Sequence, residues 1–219
     1  KPGLVAEMLE PNLKEGGGAL RDVHALQWAA VLVDDTTDVV GLDPLVAHKV
    51  LSASDVAQLH DASQLLLDTR VALHRITGGR SDLLALQDQD AVADALGVGD
   101  ADRLVRDLAA ASRAVAWITQ DAWARLVPGP VVPDRDLGDG VVLADGRIHA
   151  QGVASPERVL HAAVCAAEQR APIDRDTLAW MATMESPDWR RSQRDAFVRL
   201  LRVGADAVPR SEEHTSELQ

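Results

Sequence analysis

"DADRLVRDLAAASRAVAWITQDAWARLV" (residues 100–127) contains no Gly or Pro, and its Leu104, Leu108, Ala111, Val115, Ile118, Ala122 and Leu126 recur at three- and four-residue spacing. That spacing predicts a long amphipathic helix, and the segments on either side repeat the pattern. Upstream, Val56, Leu59, Ala62, Leu66, Leu73 and Ile76 form one stripe of a helix expected over about 55–76. Ser52 and Ser54 are suited to cap that helix and "TGGR" to close it. "DQDAVADALG" reads as a shorter helix stopped by Gly97. Leu20, Val23, Leu26, Ala30 and Val33 predict another helix, ended by the "DDTTD" run. Downstream, "GVVL" and "RIHA" flank an Asp-Gly turn, which predicts a short β-hairpin near 140–150. Helices follow again in "SPERVLHAAVCAAEQR", with Ser155 as cap and Pro156 in first position, in "DRDTLAWMATM" and in "SPDWRRSQRDAFVRLLRVG". The expected fold is mainly α and helical-bundle-like, with a short β-hairpin and no internal repeat.

The 219 residues are 47% hydrophobic and 26% charged, ordinary values for a globular chain. The formal charge of −12 excludes non-specific binding to nucleic acid or to an anionic membrane, since phosphate contacts need clustered Lys and Arg. No apolar run is long enough for a membrane span and no signal pattern opens the chain, so a cytoplasmic location is expected. Cys165, the single cysteine, stands in "LHAAVCAAE" and reads as a small buried hydrophobe. The last ten residues, "RSEEHTSELQ" (210–219), abandon the Ala/Val/Arg/Asp vocabulary of the rest and correspond in frame to a sequencing-adapter oligonucleotide. They are set apart from the fold. With no initiator Met, the chain is expected to be an internal piece of a longer protein.

Chemistry concentrates in "KEGGGALRD" (14–22), which is neither GxxxxGK[ST] nor GxGxxG. Two readings of it stand open. In one, Gly16 and Gly18 let backbone N–H groups approach phosphate, Lys14 and Arg21 neutralise it, and Asp22 faces a magnesium ion. In the other, the glycines form a structural loop and Asp22 complements the helix dipole. His60-Asp61 could supply adjacent metal ligands but lacks further partners and is expected on a solvated helix face. Asp134, Asp136 and Asp139 lack ion-loop spacing and read as a polar turn. Trp28, Trp117, Trp123, Trp180 and Trp189 fall in helical segments and are expected as core anchors.

The longer stretch "LEPNLKEGGGALRDVHALQW" (9–28) resembles a signature of the PII uridylyltransferase family, the bifunctional uridylyltransferase and uridylyl-removing enzymes of bacterial nitrogen control. Glu10 to Gly16, Gly18, Leu20 to Asp22 and Trp28 fit it, while Gly17 replaces a usual Pro and Ala19 a usual Gly. A second stretch, "LLLDTRVALHRITGGRSDLLALQDQDAVADALG" (65–97), is similar to another region of the family, with Arg70, His74, Asp82, Asp88 and Gln89 among the matches.

The resemblance implies that 1–34 is the end of a polymerase-β-like nucleotidyltransferase domain and 35–127 a helical domain. It implies that 128–209 is a hairpin, linker and helices leading toward a His-Asp hydrolase domain. It implies Lys14, Gly16, Gly18, Arg21 and Asp22 as nucleotide-binding residues, with no catalytic or metal-ligating residue in this chain. Mg2+ would be held mainly by carboxylates outside it. UTP or ATP would be the donor, the PII signal protein the acceptor and glutamine an effector of the full-length enzyme. A glutamine synthetase adenylyltransferase-like fragment and a non-catalytic helical interaction module are the alternatives.

Overall fold

The computed structural model describes residues 3–34, 41–127, 133–184 and 188–203. The chain divides into two compact units, Lys1–Pro128 and Gly129–Gln219. The 210–219 tail lies outside the described residues, as does most of the "DDTTD" run.

The first unit is helical: α1 (Leu20–Asp34), α2 (Asp43–Ala47), α3 (Ala53–Thr77), α4 (Leu86–Leu96) and α5 (Ala101–Leu126). Helix α3 begins where expected, because Ser52 and Asp55 form a reciprocal capping box. It ends at Gly78, whose left-handed φ of 62° any larger residue would resist. Asp100 caps α5 by accepting from Arg103 N–H at 2.7 Å.

Helices α3 and α5 cross the same two apolar clusters in opposite order. Leu59 and Ala62 of α3 join Val115, Ile118 and Ala122 of α5 in one cluster, to which α1 adds Val23, Leu26 and Ala30. Leu66, Ala72 and Leu73 meet Leu104 and Leu108 in the other, completed by Leu13, Leu84 and Val92. The pair therefore runs antiparallel, and burial of these side chains, worth about 1.5–3 kcal/mol each, holds the unit together. One position on the expected α3 stripe behaves differently, and a polar residue fills the gap in that stripe between Leu66 and Leu73. Ile76 is largely exposed, and Thr69 is fully buried, its hydroxyl donating to Leu65 O at 2.7 Å.

The second unit contains β1 (Arg135–Gly138), β2 (Val141–Ala144), β3 (Arg147–Ala150), α6 (Pro156–Gln169), α7 (Arg175–Ala182) and α8 (Arg191–Arg202). The hairpin β2–β3 is the expected one, with Asp145 and Gly146 at φ 51° and 70°, as a tight two-residue turn of the primed type demands. The polar turn expected at Asp134, Asp136 and Asp139 is in part a strand. β1 pairs antiparallel with β2 through a bulge at Gly138, giving a three-stranded sheet in the order β1-β2-β3. β1 is mostly exposed, so no alternation of apolar residues marks it. Val141, Leu143 and Ile148 pack on Ala162 and Cys165 of α6.

The tryptophans correct the sequence reading. Trp28, Trp117, Trp123 and Trp189 are all exposed beyond a third of their surface, and only Trp180 packs at the edge of a core. Trp189 also precedes its helix rather than lying within it. Placement on a helix does not choose the buried face: Val115, Ile118 and Thr119 of α5 point inward, and Trp117 between them points out.

Candidate functional site

The two sequence stretches that carry the family resemblance are hydrogen-bonded to each other. Leu13 N–H donates to Asp82 O at 2.8 Å, and Leu84 N–H returns to Pro11 O at 2.9 Å, which makes a one-residue antiparallel bridge between Asn12 and Leu83. Glu10 extends the stitch by accepting Leu86 N–H at 3.0 Å, where α4 begins and its backbone donors need partners. Gln89, almost fully buried, donates its side-chain amide to Leu9 O at 2.8 Å. Glu10, Pro11, Asp82 and Gln89 thus join segments far apart in sequence.

Beyond this stitch the chain turns sharply through the glycines. Asn12 Oδ1 accepts Lys14 and Glu15 N–H at 3.1 and 2.7 Å. Gly16 N–H donates to Asn12 O, Gly17 N–H to Gly3 O and Ala19 N–H to Gly16 O, each at 3.1 Å. Gly18 N–H donates to Asp22 Oδ2 at 2.7 Å. Leu20 and Arg21 N–H close on Leu13 O and Lys14 O. Every backbone donor from Lys14 to Arg21 is therefore engaged within the protein, and a phosphate at this loop would meet side chains rather than a cradle of free N–H groups.

The glycines answer steric needs. Gly18 has φ +73°, and a Cβ there would collide with the carbonyl and hydroxyl of Ser112 on α5. Ser112 Oγ donates to Gly17 O at 3.1 Å, fixing the loop on that helix. A Cβ on Gly16 would stand 2.6 Å from Val5 Cγ2 and 2.7 Å from Asn12 O.

What faces outward is charge. Arg21 pairs with Glu15 at 2.5 Å, while Lys14 approaches the same carboxylate only to 3.9 Å. Lys14 also lines a cleft of about 240 Å³ between α1 and α3, and Arg70 of α3 lines it too. Arg70 Nε donates to Asp82 Oδ1 at 2.6 Å, and His74, one turn further along α3, shares that oxygen at 3.1 Å. The residue-by-residue reading attached no role to this Arg70–Asp82–His74 cluster. Its four-residue spacing on a helix was the available signal, but the partner carboxylate comes from the following loop.

The described residues do not fit a magnesium site. Asp22 is turned back onto Gly18 N–H, and no three His, Cys, Asp or Glu side chains among the described residues stand close enough to share a cation. His60 and Asp61 lie exposed on α3. Cys165 is buried, and burial together with nearby Glu168 raises its thiol above the ordinary 9.0 despite opposition from Arg199. That suits a packing residue better than a nucleophile. Among the described residues, no helix is long and apolar enough to cross a membrane.

The family model for GlnD PII-uridylyltransferase matches residues 4–123, which include the stitch, the cleft lining, all of α3 and most of α5. The bifunctional uridylyltransferase/uridylyl-removing enzyme of Streptomyces coelicolor is 32% identical over 95% of this chain and 26% of its own length. That of Mycobacterium tuberculosis is 31% identical over 94% of this chain and 26% of its own. The Nitrosococcus oceani enzyme is 39% identical over 42% of the chain. This chain spans about a quarter of the length of the first two relatives. No solved structure matches. With more than half of its residues covered by the family model, the chain belongs to the GlnD PII-uridylyltransferase family.

Proposed function

We propose that this chain is part of a PII-protein nucleotidyltransferase, which moves UMP, or AMP in some members, from a nucleoside triphosphate to a tyrosine of the PII signal protein. The supporting observation is the family match over residues 4–123, together with relatives named as uridylyltransferase and uridylyl-removing enzymes. In this reading residues 1–34 end the transferase domain and 35–127 form its helical companion. Residues 128–209 lead toward the hydrolase domain, and the whole enzyme works in the cytoplasm under control of glutamine. Mg2+ would be bound mainly by carboxylates outside these 219 residues.

Within the chain, the roles of the five loop residues separate. Lys14 and Arg21 present exposed cationic side chains able to neutralise phosphate, with Arg21 capable of bidentate contact. Gly16, Gly18 and Asp22 shape the turn that carries them. The test is nucleotidyl transfer to PII by the full-length enzyme. Lys14→Ala and Arg21→Ala are expected to lower kcat/KM about tenfold or more, equivalent to ~1.4 kcal/mol of lost transition-state stabilisation, with thermal unfolding unchanged. Unchanged kinetics in both variants would remove these side chains from the nucleotide site. The 219-residue chain by itself is expected to transfer nothing.

A further inference from the structure

We propose that the cleft between α1 and α3 is an anion site for the di- or triphosphate group of a small molecule, held by Lys14 and Arg70 with Gln27 as a neutral donor; Gln64, whose amide donates to Asp68 at 2.9 Å, lines the opposite wall on α3. The chain carries 34 acidic residues against 22 Lys and Arg, yet the cleft lining includes two of the cations and no carboxylate. In a protein of charge −12, two cations on one cleft make it a place where an anion is accepted, even with the Asp82 carboxylate on Arg70 and Glu15 near Lys14.

Both cations are held in position. Arg70 Nε is anchored on Asp82, which leaves its terminal guanidinium nitrogens as donors. Asp82 is fastened in turn through its backbone carbonyl to Leu13 N–H, the residue next to Lys14. One residue, Asp82, therefore ties the guanidinium through its carboxylate and the segment bearing the ammonium through its carbonyl, so less ordering remains to be done when a ligand arrives. Glu15, the carboxylate nearest Lys14, is drawn more closely to Arg21. Leu20 and Val23, both buried, add apolar lining to the cleft, and a charge-assisted bond made against apolar surface is strengthened.

Size selects the ligand class. At about 240 Å³ the cleft is smaller than pockets that enclose a drug-sized molecule, roughly 300–1,000 Å³, but it is ample for a pyrophosphate group. The cleft thus accepts a phosphate tail and leaves the rest of its bearer outside. It rests on the nucleotidyl-transfer reading only for the source of that tail, a nucleoside triphosphate or the released pyrophosphate.

The test titrates the 219-residue chain with pyrophosphate and, separately, with UTP, following backbone amide shifts and heats of binding at low and raised salt. Saturable shifts are expected at Lys14, Gln64 and Arg70, weakening with salt. Gln64→Glu, at an exposed helical position, and Lys14→Ala should each reduce pyrophosphate affinity at least fivefold, and Arg103→Ala on the surface of α5 should not. UTP binding with pyrophosphate-like shifts supports the phosphate tail as the recognised group. Shifts centred elsewhere, unchanged affinity in both cleft variants, or UTP binding without any pyrophosphate binding would each overturn the site. The failures are separable. Pyrophosphate binding lost in Gln64→Glu, with full-length nucleotidyl transfer unchanged, keeps the cleft and removes the nucleotide as its source. Transfer lost in full-length Lys14→Ala, with no pyrophosphate bound in the cleft, does the reverse.

Discussion

Gly18 and Gly146 both sit at positive φ, 73° and 70°, yet different things require them. At Gly146 nothing lies within 4 Å of where a Cβ would be, so the requirement is local: a two-residue turn between β2 and β3. At Gly18 the requirement is also tertiary, because Ser112, ninety-four residues later in sequence, occupies the space a side chain would need. A glycine that serves a turn can be recognised from its neighbours in the chain. A glycine that makes room for a helix packed against it cannot, because the helix comes from a distant part of the chain.

Substitution at these two glycines separates the requirements most strongly. Gly18→Ala adds backbone strain of about 1–3 kcal/mol to an overpacking cost of similar size, so a loss of roughly 3–5 kcal/mol is expected in denaturant unfolding of the first unit. Gly146→Ala should cost only about 1 kcal/mol, observed in the second unit, because strain acts there alone. Equal losses at the two sites would sink the distinction.

Asp22 gives a finer test of the loop. Removing its carboxylate in Asp22→Ala strands Gly18 N–H and is expected to cost about 1–3 kcal/mol. Asp22→Asn keeps an acceptor oxygen and should recover most of that stability. Were Asp22 a metal ligand in the intact enzyme, the Asn variant would instead lose activity while remaining folded, so comparing melting with transfer kinetics discriminates the two.

The smallest effects belong to the second unit. Glu157 accepts from the Gln193 amide at 2.8 Å, and this bond, reinforced by the helix backbone and by Arg190 against the cost of desolvation, holds its carboxyl below the ordinary 4.5. A carboxyl depressed in the folded state stabilises at pH above its unfolded value, and that contribution disappears as pH falls through the lower folded value. Gln193→Leu should therefore flatten this part of the acid limb of a stability profile below pH 4.5. Cys165 titrates in the opposite sense: its raised thiol should label with a thiolate-selective reagent more slowly than an unfolded control at pH 9, and the gap should narrow on denaturation.

Much of the architecture was legible because it depends on short-range pattern. The buried stripe of α5, the Ser52 and Ser155 caps, the Gly97 stop and the Asp145-Gly146 turn all follow from spacing, backbone donors or φ. β1 was missed because its residues are mostly exposed and the strand is defined by its partner. Four tryptophans were misplaced because size and helical location do not specify which face turns inward. At the candidate site, Lys14 and Arg21 could be picked out by charge. The anchoring of Arg70 by Asp82 could not, since the carboxylate reaches it around the end of α3.

The amino-acid order by itself determined a mainly helical chain with one tight hairpin, and two stretches whose residues mark the family, because caps, turns and apolar periodicity act over a few residues. Only the tertiary structure decided what those marked residues do. Glu10, Pro11, Asp82 and Gln89 stitch the two stretches together, Gly16 and Gly18 make room for Val5 and Ser112, and the loop's donors are already engaged. Hydrogen bonds and steric contacts between residues as much as ninety-four positions apart leave no periodic trace in the chain, so these contacts emerged only when the segments met.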